Sequence, residues 1–459
     1  MVELDPAARR ARRVLRIIVM LVLWGLITHG THAGSGDEPH YLAIAHSIAF
    51  DGDLDLSNNY GANEPLIGGG VLAPEAHVRA GAGGVARPVH DVGLPLVFVP
   101  IVRVAVPLTH ALTSIIPAAA MQRARLTPAV LYRHLISLAM IAIAAALAGL
   151  MFETFTIVGG SVRAAFASAL LIALSPPLLI MSVLFFTEVL AALVCLFVFQ
   201  RTVLVRTTGA HRWLTIGVAT GFLWLVHARN IGLIVPLAAL ALESMRGRVT
   251  RRDASAYAIG LATMMAVRTA INYHFWGTLL VGPHARFGGL TNASALLKPI
   301  GIRAAGLFVD QEFGLLIYAP IYLLMITGFV ALSRQKESIA RRLLEVVGFY
   351  LLLIVLPITN VHGWSGGWNP PGRFLTPIVP LLAIALFAGL RTGRREIVAI
   401  LLAAQIAIDA YAWQHPKVMW NDGDGRAAFC DRFGDRICRV LPSLADNRVT
   451  PPDGGGRQP

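Results

Sequence analysis

The stretch RVLRIIVMLVLWGLITHGTHAGSGDEPHYL, Arg13 to Leu42, decides how this chain is read. It is apolar from Ile17 to Thr28 and stands behind Arg9, Arg10, Arg12, Arg13 and Arg16. A signal peptide also starts this way. However, no A-x-A site follows, and apolar runs continue almost to the end of the chain, so we expect a retained anchor. From Ile17 to Gly34 the segment would measure ~27 Å as a helix, close to one hydrocarbon thickness. Asp37 and Glu38 then land at the outer water–lipid boundary.

Working outward, the whole chain has the same character. Of 459 residues, 56% are hydrophobic and 14% charged, with mean hydropathy +0.64. A soluble core could not hide that much apolar surface. Three cysteines exclude a disulfide scaffold and a cysteine-rich metal cluster. The net charge of +13 would suit nucleic acid, but the arginines sit in short clusters between apolar runs, as membrane topology selects. We expect no nucleic-acid partner.

Twelve runs could span: Ile17–Gly34, Val92–Ala120, His134–Val158, Ala164–Ile180, Val183–Phe199, Trp213–His227, Gly232–Met245, Ala254–Ala270, Phe313–Leu332, Leu343–Ile358, Phe374–Leu390 and Ile397–Trp413. Basic clusters at Arg201–Arg212, Arg246–Arg252, Arg334–Arg342 and Arg391–Arg395 are each two runs apart, which places them together on the cytoplasmic side. Counting back two runs puts Arg163 there too. The N-terminal arginines belong on that side as well, yet five runs separate them from Arg201. One run must therefore fail to cross. Val92–Ala120 carries Pro95, Pro100, Pro107 and Pro117 with Arg103 in its middle, and an arginine at mid-bilayer costs roughly 2.5–3.5 kcal/mol. It is expected to be broken and to lie in the interface.

The expected architecture is an all-α polytopic membrane protein of about eleven spans. Residues 1–16 form a basic cytoplasmic N-terminus and 17–413 the transmembrane domain. Within the latter, 36–132 is a large external loop with juxtamembrane helices. Residues 414–459 form an external tail, disordered from Asp446 on. Cys430 and Cys438 in that tail are either a disulfide or two free thiols. Arg123, Arg125 and Arg133 fall outside, against the usual charge bias.

Pro39 suits the first turn of a helix, and Tyr41, Leu42, Ala45, Ile48 and Ala49 recur at helical spacing. A helix over Pro39–Phe50 is expected to lie flat on the membrane, ended by Asp51-Gly52-Asp53. Asp37 or Glu38 could cap it. One acid suffices for that, so the alternative is a general base at the boundary, with a pKa raised by partial shielding.

"DEPHYL" just outside the first span resembles the GT-C superfamily of polyprenyl-phosphate-sugar glycosyltransferases, in the branch of protein O-mannosyltransferases and lipid A aminoarabinose transferases. "PVHDVGLPLVFVP" (Pro88–Pro100) resembles that branch's juxtamembrane segment, and "SPPLLIMSVLFFTEVLA" (Ser175–Ala191) its external turn and Thr-Glu pair. "GLFVDQEFGLLIYAPIYLL" (Gly306–Leu324) and "GWSGGWNPPGRFLTPIVPLL" (Gly363–Leu382) resemble its late external loops. His40 departs from the arginine common in aminoarabinose transferases, and no family acceptor domain is recognised at the C-terminus.

The resemblance implies a GT-C-like bundle in the plasma membrane with its site on the external face. It also implies inverting transfer of a sugar, mannose being favoured, from a polyprenyl-phosphate donor to a hydroxyl of an envelope glycan, lipid or protein. Asp37 would take the proton, with Glu38 as its catalytic neighbour. Arg373 and Arg229, at external helix ends, would bind the leaving phosphate. His40, Tyr41, His90, Asp91 and Glu188 would contact substrate, Glu188 having a structural pairing with Arg229 as its alternative. Asp310 and Glu312 read as solvated loop acids. The resemblance requires no cofactor. Carboxylate and imidazole among Asp37, Glu38, His40, His46, His77 and His90 would suit a divalent ion, but no histidine pair has helical ligand spacing, so no metal ligand is assigned. A transporter or flippase is the rival reading. It would need ionisable groups at mid-bilayer and internal repeats.

Overall fold

Backbone in lipid must satisfy its own hydrogen bonds, and each of the twelve apolar runs is helical at least in part. The computed structural model describes residues 5–29, 36–60, 64, 66–67, 72–74, 77–246, 249–279, 293–355, 365 and 367–444, with backbone alone at 293–299 and 355. The tail beyond 444 and parts of the stretches around 280–292 and 356–366, which carry expectations above, lie outside the described residues.

The helices run α1 (Pro6–His29), α2 (Glu38–His46), α3 (Gly93–Ile115), α4 (Ala118–Arg123), α5 (Pro128–Ile157), α6 (Val162–Ala173), α7 (Leu178–Met181) and α8 (Thr187–Phe199). They continue as α9 (Ala210–Val226), α10 (Ile231–Met245), α11 (Arg251–Trp276), α12 (Ala293–Val309), α13 (Leu315–Tyr318), α14 (Leu324–Gln335), α15 (Glu337–Val355), α16 (Val379–Thr392) and α17 (Arg395–Gln414). Two short turns follow, α18 (Cys430–Phe433) and α19 (Asp435–Cys438). Seven segments are long and apolar enough to cross a membrane by length and composition: Gly93–Ile115, Pro128–Ile157, Thr187–Leu204, Ala228–Met245, Arg251–Trp276, Arg373–Thr392 and Arg395–Gln414. The others are shorter, interrupted or, like α15, too charged. The charge-free part of α1 begins only after Arg16, and the Phe313–Leu332 run is divided among α13, a 3-10 turn and α14. A helix not expected from the sequence, α12, lies in what was read as external loop.

Two expectations are corrected here. The Val92–Ala120 segment is broken only at Ile116–Pro117, since α3 is one helix from Gly93 to Ile115 that continues through Pro100 and Pro107. Arg103 points off its side, and its Nε donates to the Ala49 carbonyl at 2.9 Å. Nor does α2 have the exposed polar face that a helix lying on a membrane surface would show. His40 to Ala45 and Glu38 are all buried, as befits a helix without a polar face. It ends in a π turn, Ser47–Asp51, stopped by Gly52 at φ 77°.

Small residues set the helix crossings, as expected where lipid supplies no hydrophobic contrast. A Cβ at Gly217 or Gly260 would collide with backbone of the facing helix in the α9–α11 pair, and one at Gly328 or Gly389 would do so between α14 and α16. Polar contacts fix one end of the bundle. Arg12 pairs with Glu153, Lys336 Nζ donates to the Val158 carbonyl at 2.7 Å, and Arg391 Nη1 donates to that of Gly159 at 2.9 Å. The α1 start, the α5 end and two basic clusters therefore share that end. At the other end, β1 (Val78–Ala80) and β2 (Ala86–Pro88) form an antiparallel hairpin with Val78 opposite Pro88.

Candidate functional site

The site is built where α1 gives way to α2. Gly36 takes φ +56°, a conformation side chains disfavour, and lies against Phe186 and Trp368. Asp37 follows at the N-cap position of α2, yet its side chain makes no capping hydrogen bond. Instead Arg373 Nη2 donates to Asp37 Oδ2 at 2.6 Å, and Arg373 Nε donates to Glu188 Oε1 at 2.9 Å. The same Glu188 oxygen accepts from Arg229. Two carboxylates and two guanidiniums thus alternate in one chain: Asp37, Arg373, Glu188, Arg229. Glu188, at the start of α8, is 1% exposed and Arg373 7%, a burial such charges tolerate only when paired. Each guanidinium also sits over a ring, Arg373 at 4.5 Å from Phe186 and Arg229 at 4.3 Å from Phe374.

Histidines make up the other side of Asp37. The hairpin sets His77 and His90 just outside its two ends, held by a 3.0 Å bond from Val89 N–H to the His77 carbonyl. Their rings meet at 2.8 Å, His77 Nδ1 to His90 Nε2. One donor atom from each of Asp37, His77 and His90 lies within 4.8 Å of the others. His40 stacks on His77 with centroids 3.4 Å apart and bonds through Nδ1 to the Tyr60 hydroxyl at 2.7 Å. Tyr41 places its ring 4.8 Å from His90.

Electrostatics differ from the sequence expectation. Burial would raise the Asp37 carboxyl, but the Arg373 charge and hydrogen bond and the neighbouring histidines outweigh it, so its pKa is lowered rather than raised. Burial, reinforced by His77 and His90, pushes His40 down to about 3. The Tyr41 hydroxyl is pushed up by burial and then by Asp37.

Not every residue expected here joins this cluster. Glu38 takes different partners: Phe185 N–H donates to Oε1 at 2.7 Å and Arg133 Nη2 to Oε2 at 3.4 Å. It ties α2 to α5 and to the approach of α8. Asp91 is similarly engaged, with Arg268 at 2.6 Å and Ala228 N–H at 2.7 Å, holding the α3 start to the turn before Arg229. Asp310 and Glu312 are not solvated; both are fully buried. Asp310 accepts from Glu312 and Phe313 N–H at 2.9 Å and from Leu444 N–H at 2.7 Å. Glu312 accepts from Gly423 and Gly425 N–H at 2.9 and 2.7 Å. Cys430 and Cys438 are joined in a disulfide.

Sequence reasoning missed the place of His77 and the ring seats of Phe186 and Phe374. The glycine-rich turn "RAGAGGVARP" (Arg79–Pro88) is a hairpin signal that would have brought His77 to His90. The ring seats had no such signal.

No family model matches the chain, and neither a curated protein nor a solved structure resembles it.

Proposed function

We propose that the chain is an integral-membrane glycosyltransferase of the GT-C kind that its motifs resemble. It would move a sugar from a polyprenyl-phosphate donor to an acceptor hydroxyl, with Asp37 as general base. The observation carrying this reading is the alternation Asp37–Arg373–Glu188–Arg229. The reaction needs two things at one point, a proton acceptor and positive charge for a departing phosphate. This arrangement offers both.

In this reading the acceptor oxygen attacks the anomeric carbon from the face opposite the phosphate, inverting it. The carbon–phosphate-oxygen bond breaks, its electron pair leaves with polyprenyl phosphate, and the hydroxyl proton passes to Asp37. A lowered pKa keeps Asp37 ionised but makes it a weak base at rest. The donor supplies the remedy. An anionic phosphate drawn to Arg373 and Arg229 competes with the carboxylates for guanidinium N–H groups, which loosens Arg373 from Asp37 and raises its basicity once the donor is seated. Glu188 holds the two arginines together until then.

Contacts at both ends of the bundle support the layout of about eleven spans with the site outside. α1 leads from the basic end to Asp37, and α5 returns from Arg133, beside Glu38, to Glu153, beside Arg12. The chain between them therefore starts and finishes at the site end. Had α3 crossed, residues 116–127, half of them coiled in α4, would have to recross as a nearly straight strand with unpaired backbone, which lipid does not tolerate. We read α3 as lying along the interface, the N-terminus as cytoplasmic and the site as external.

The test uses membranes supplied with radiolabelled polyprenyl-phosphate sugars and cell-envelope extract, mannose first. An Asp37→Asn variant expressed at the normal level should lose on the order of 10²–10⁴-fold in transfer. Undiminished transfer would refute the base.

A further inference from the structure

The hairpin delivers two imidazoles, His77 and His90, to one carboxylate, Asp37. We propose that Asp37, His77 and His90 together bind one divalent transition-metal ion, of the zinc or manganese class.

Three observations carry the assignment. The donor atoms lie within 4.8 Å of one another. Tetrahedral ligands with bonds of about 2.0–2.2 Å stand about 3.3–3.6 Å apart, so binding takes side-chain adjustment that draws the wider pairs in by about 1 Å and parts the imidazoles now bonded at 2.8 Å. The scaffold is rigid: His77 and His90 flank paired strands, His77 N–H bonds to the Pro74 carbonyl at 2.8 Å, and His40 backs the His77 ring. Sites that bind metal well have their ligands fixed by such outer partners. All three residues are half-buried, so an ion can enter from solvent. Two imidazoles and a carboxylate favour zinc, manganese, iron or cobalt over calcium and magnesium. Three protein ligands leave a coordination position open, as in catalytic rather than structural sites.

Binding by these residues stands apart from the transfer reading. One extension does rest on that reading: the open position would hold the acceptor's hydroxyl oxygen and make its proton easier to remove.

The experiment titrates zinc into tag-free, full-length protein in detergent, stripped with chelator, against a chromophoric competitor. The unmodified chain should take up one ion. His77→Ala and His90→Ala should each weaken binding by more than the ~10–100-fold that losing an outer partner costs. His211→Ala, exposed at the start of α9, should leave it unchanged. Melting curves separate lost binding from lost fold: each variant in chelator is its own reference, and zinc should raise the midpoint only where both histidines are present. A chain that binds neither zinc nor manganese stoichiometrically overturns the site, as does a His77→Ala/His90→Ala double variant that binds like the unmodified chain. Transfer unaffected by chelator would remove the extension and leave the binding result standing. Absent transfer with intact binding would count against the glycosyltransferase reading alone.

Discussion

Asp37 and Glu38 are neighbours in sequence with opposite surroundings. Asp37 faces Arg373 and two histidines, while Glu38 is sealed against Phe185 N–H and Arg133. Glu38→Gln keeps an oxygen for Phe185 but loses the charge for Arg133. It should lower stability by about 1–3 kcal/mol and leave transfer within roughly tenfold, the range left to a residue without a proton-transfer role. Thermal denaturation alongside the transfer assay checks this. A well-folded Glu38→Gln protein as inactive as Asp37→Asn would return Glu38 to the chemistry. Composition and spacing offered two adjacent acids as equals, and only the resemblance gave the proton to Asp37. What separates them is side-chain direction, set by Gly36 and by partners distant in sequence, Arg373 for Asp37 and Phe185 for Glu38.

Among elements, helices were the most legible feature, because a long apolar run in lipid has few alternatives. Their lengths and breaks were less so. Of the four prolines that suggested a broken segment, only Pro117 stands at a break, while α3 runs on through Pro100 and Pro107, since proline costs a helix one hydrogen bond but need not end it when neighbouring helices hold the turn. Helix pairings were not legible, because they rest on glycines whose partners lie far along the chain. They yield a sharp prediction. Gly389→Ala drives a methyl into the Leu324 backbone and should cost about 1–3 kcal/mol. Gly348→Ala, with open space around it, should be neutral or stabilising by up to about 1 kcal/mol, the helix-propensity difference. Melting midpoints of the two variants compare them directly. Equal effects would mean that α14 and α16 do not cross at Gly389.

For the molecule as a whole, the tail is a working part of the architecture. Asn421 pairs with Asn369, Gly372 N–H bonds to the Phe313 carbonyl at 3.0 Å, and Glu312 grips Gly423 and Gly425. The segment bearing Arg373 is thus held between the 310–313 loop and the tail. Burial, joined by Asp310 and Asp424, pushes the Glu312 carboxyl up to about 7, against the pull of those two N–H groups. A raised folded pKa means that the clasp is strongest below the ordinary glutamate range and weakens as pH climbs through 7. The melting midpoint of the unmodified chain should therefore fall between pH 5 and 8 by more than that of Glu312→Gln. Identical pH profiles would remove Glu312 as the cause. Sequence reading took Asp310 and Glu312 for solvated acids because nothing local announces that a distant tail will cover them.

The Asp37–Arg373 bond joins positions 336 apart. At roughly 5–20 residues per second, a ribosome makes the aspartate tens of seconds before it makes the arginine. A nascent chain thus spends much of its synthesis with this carboxylate made and its guanidinium partner still to come. Messages cut short before the last quarter would yield a membrane-embedded product in which that pairing can never form.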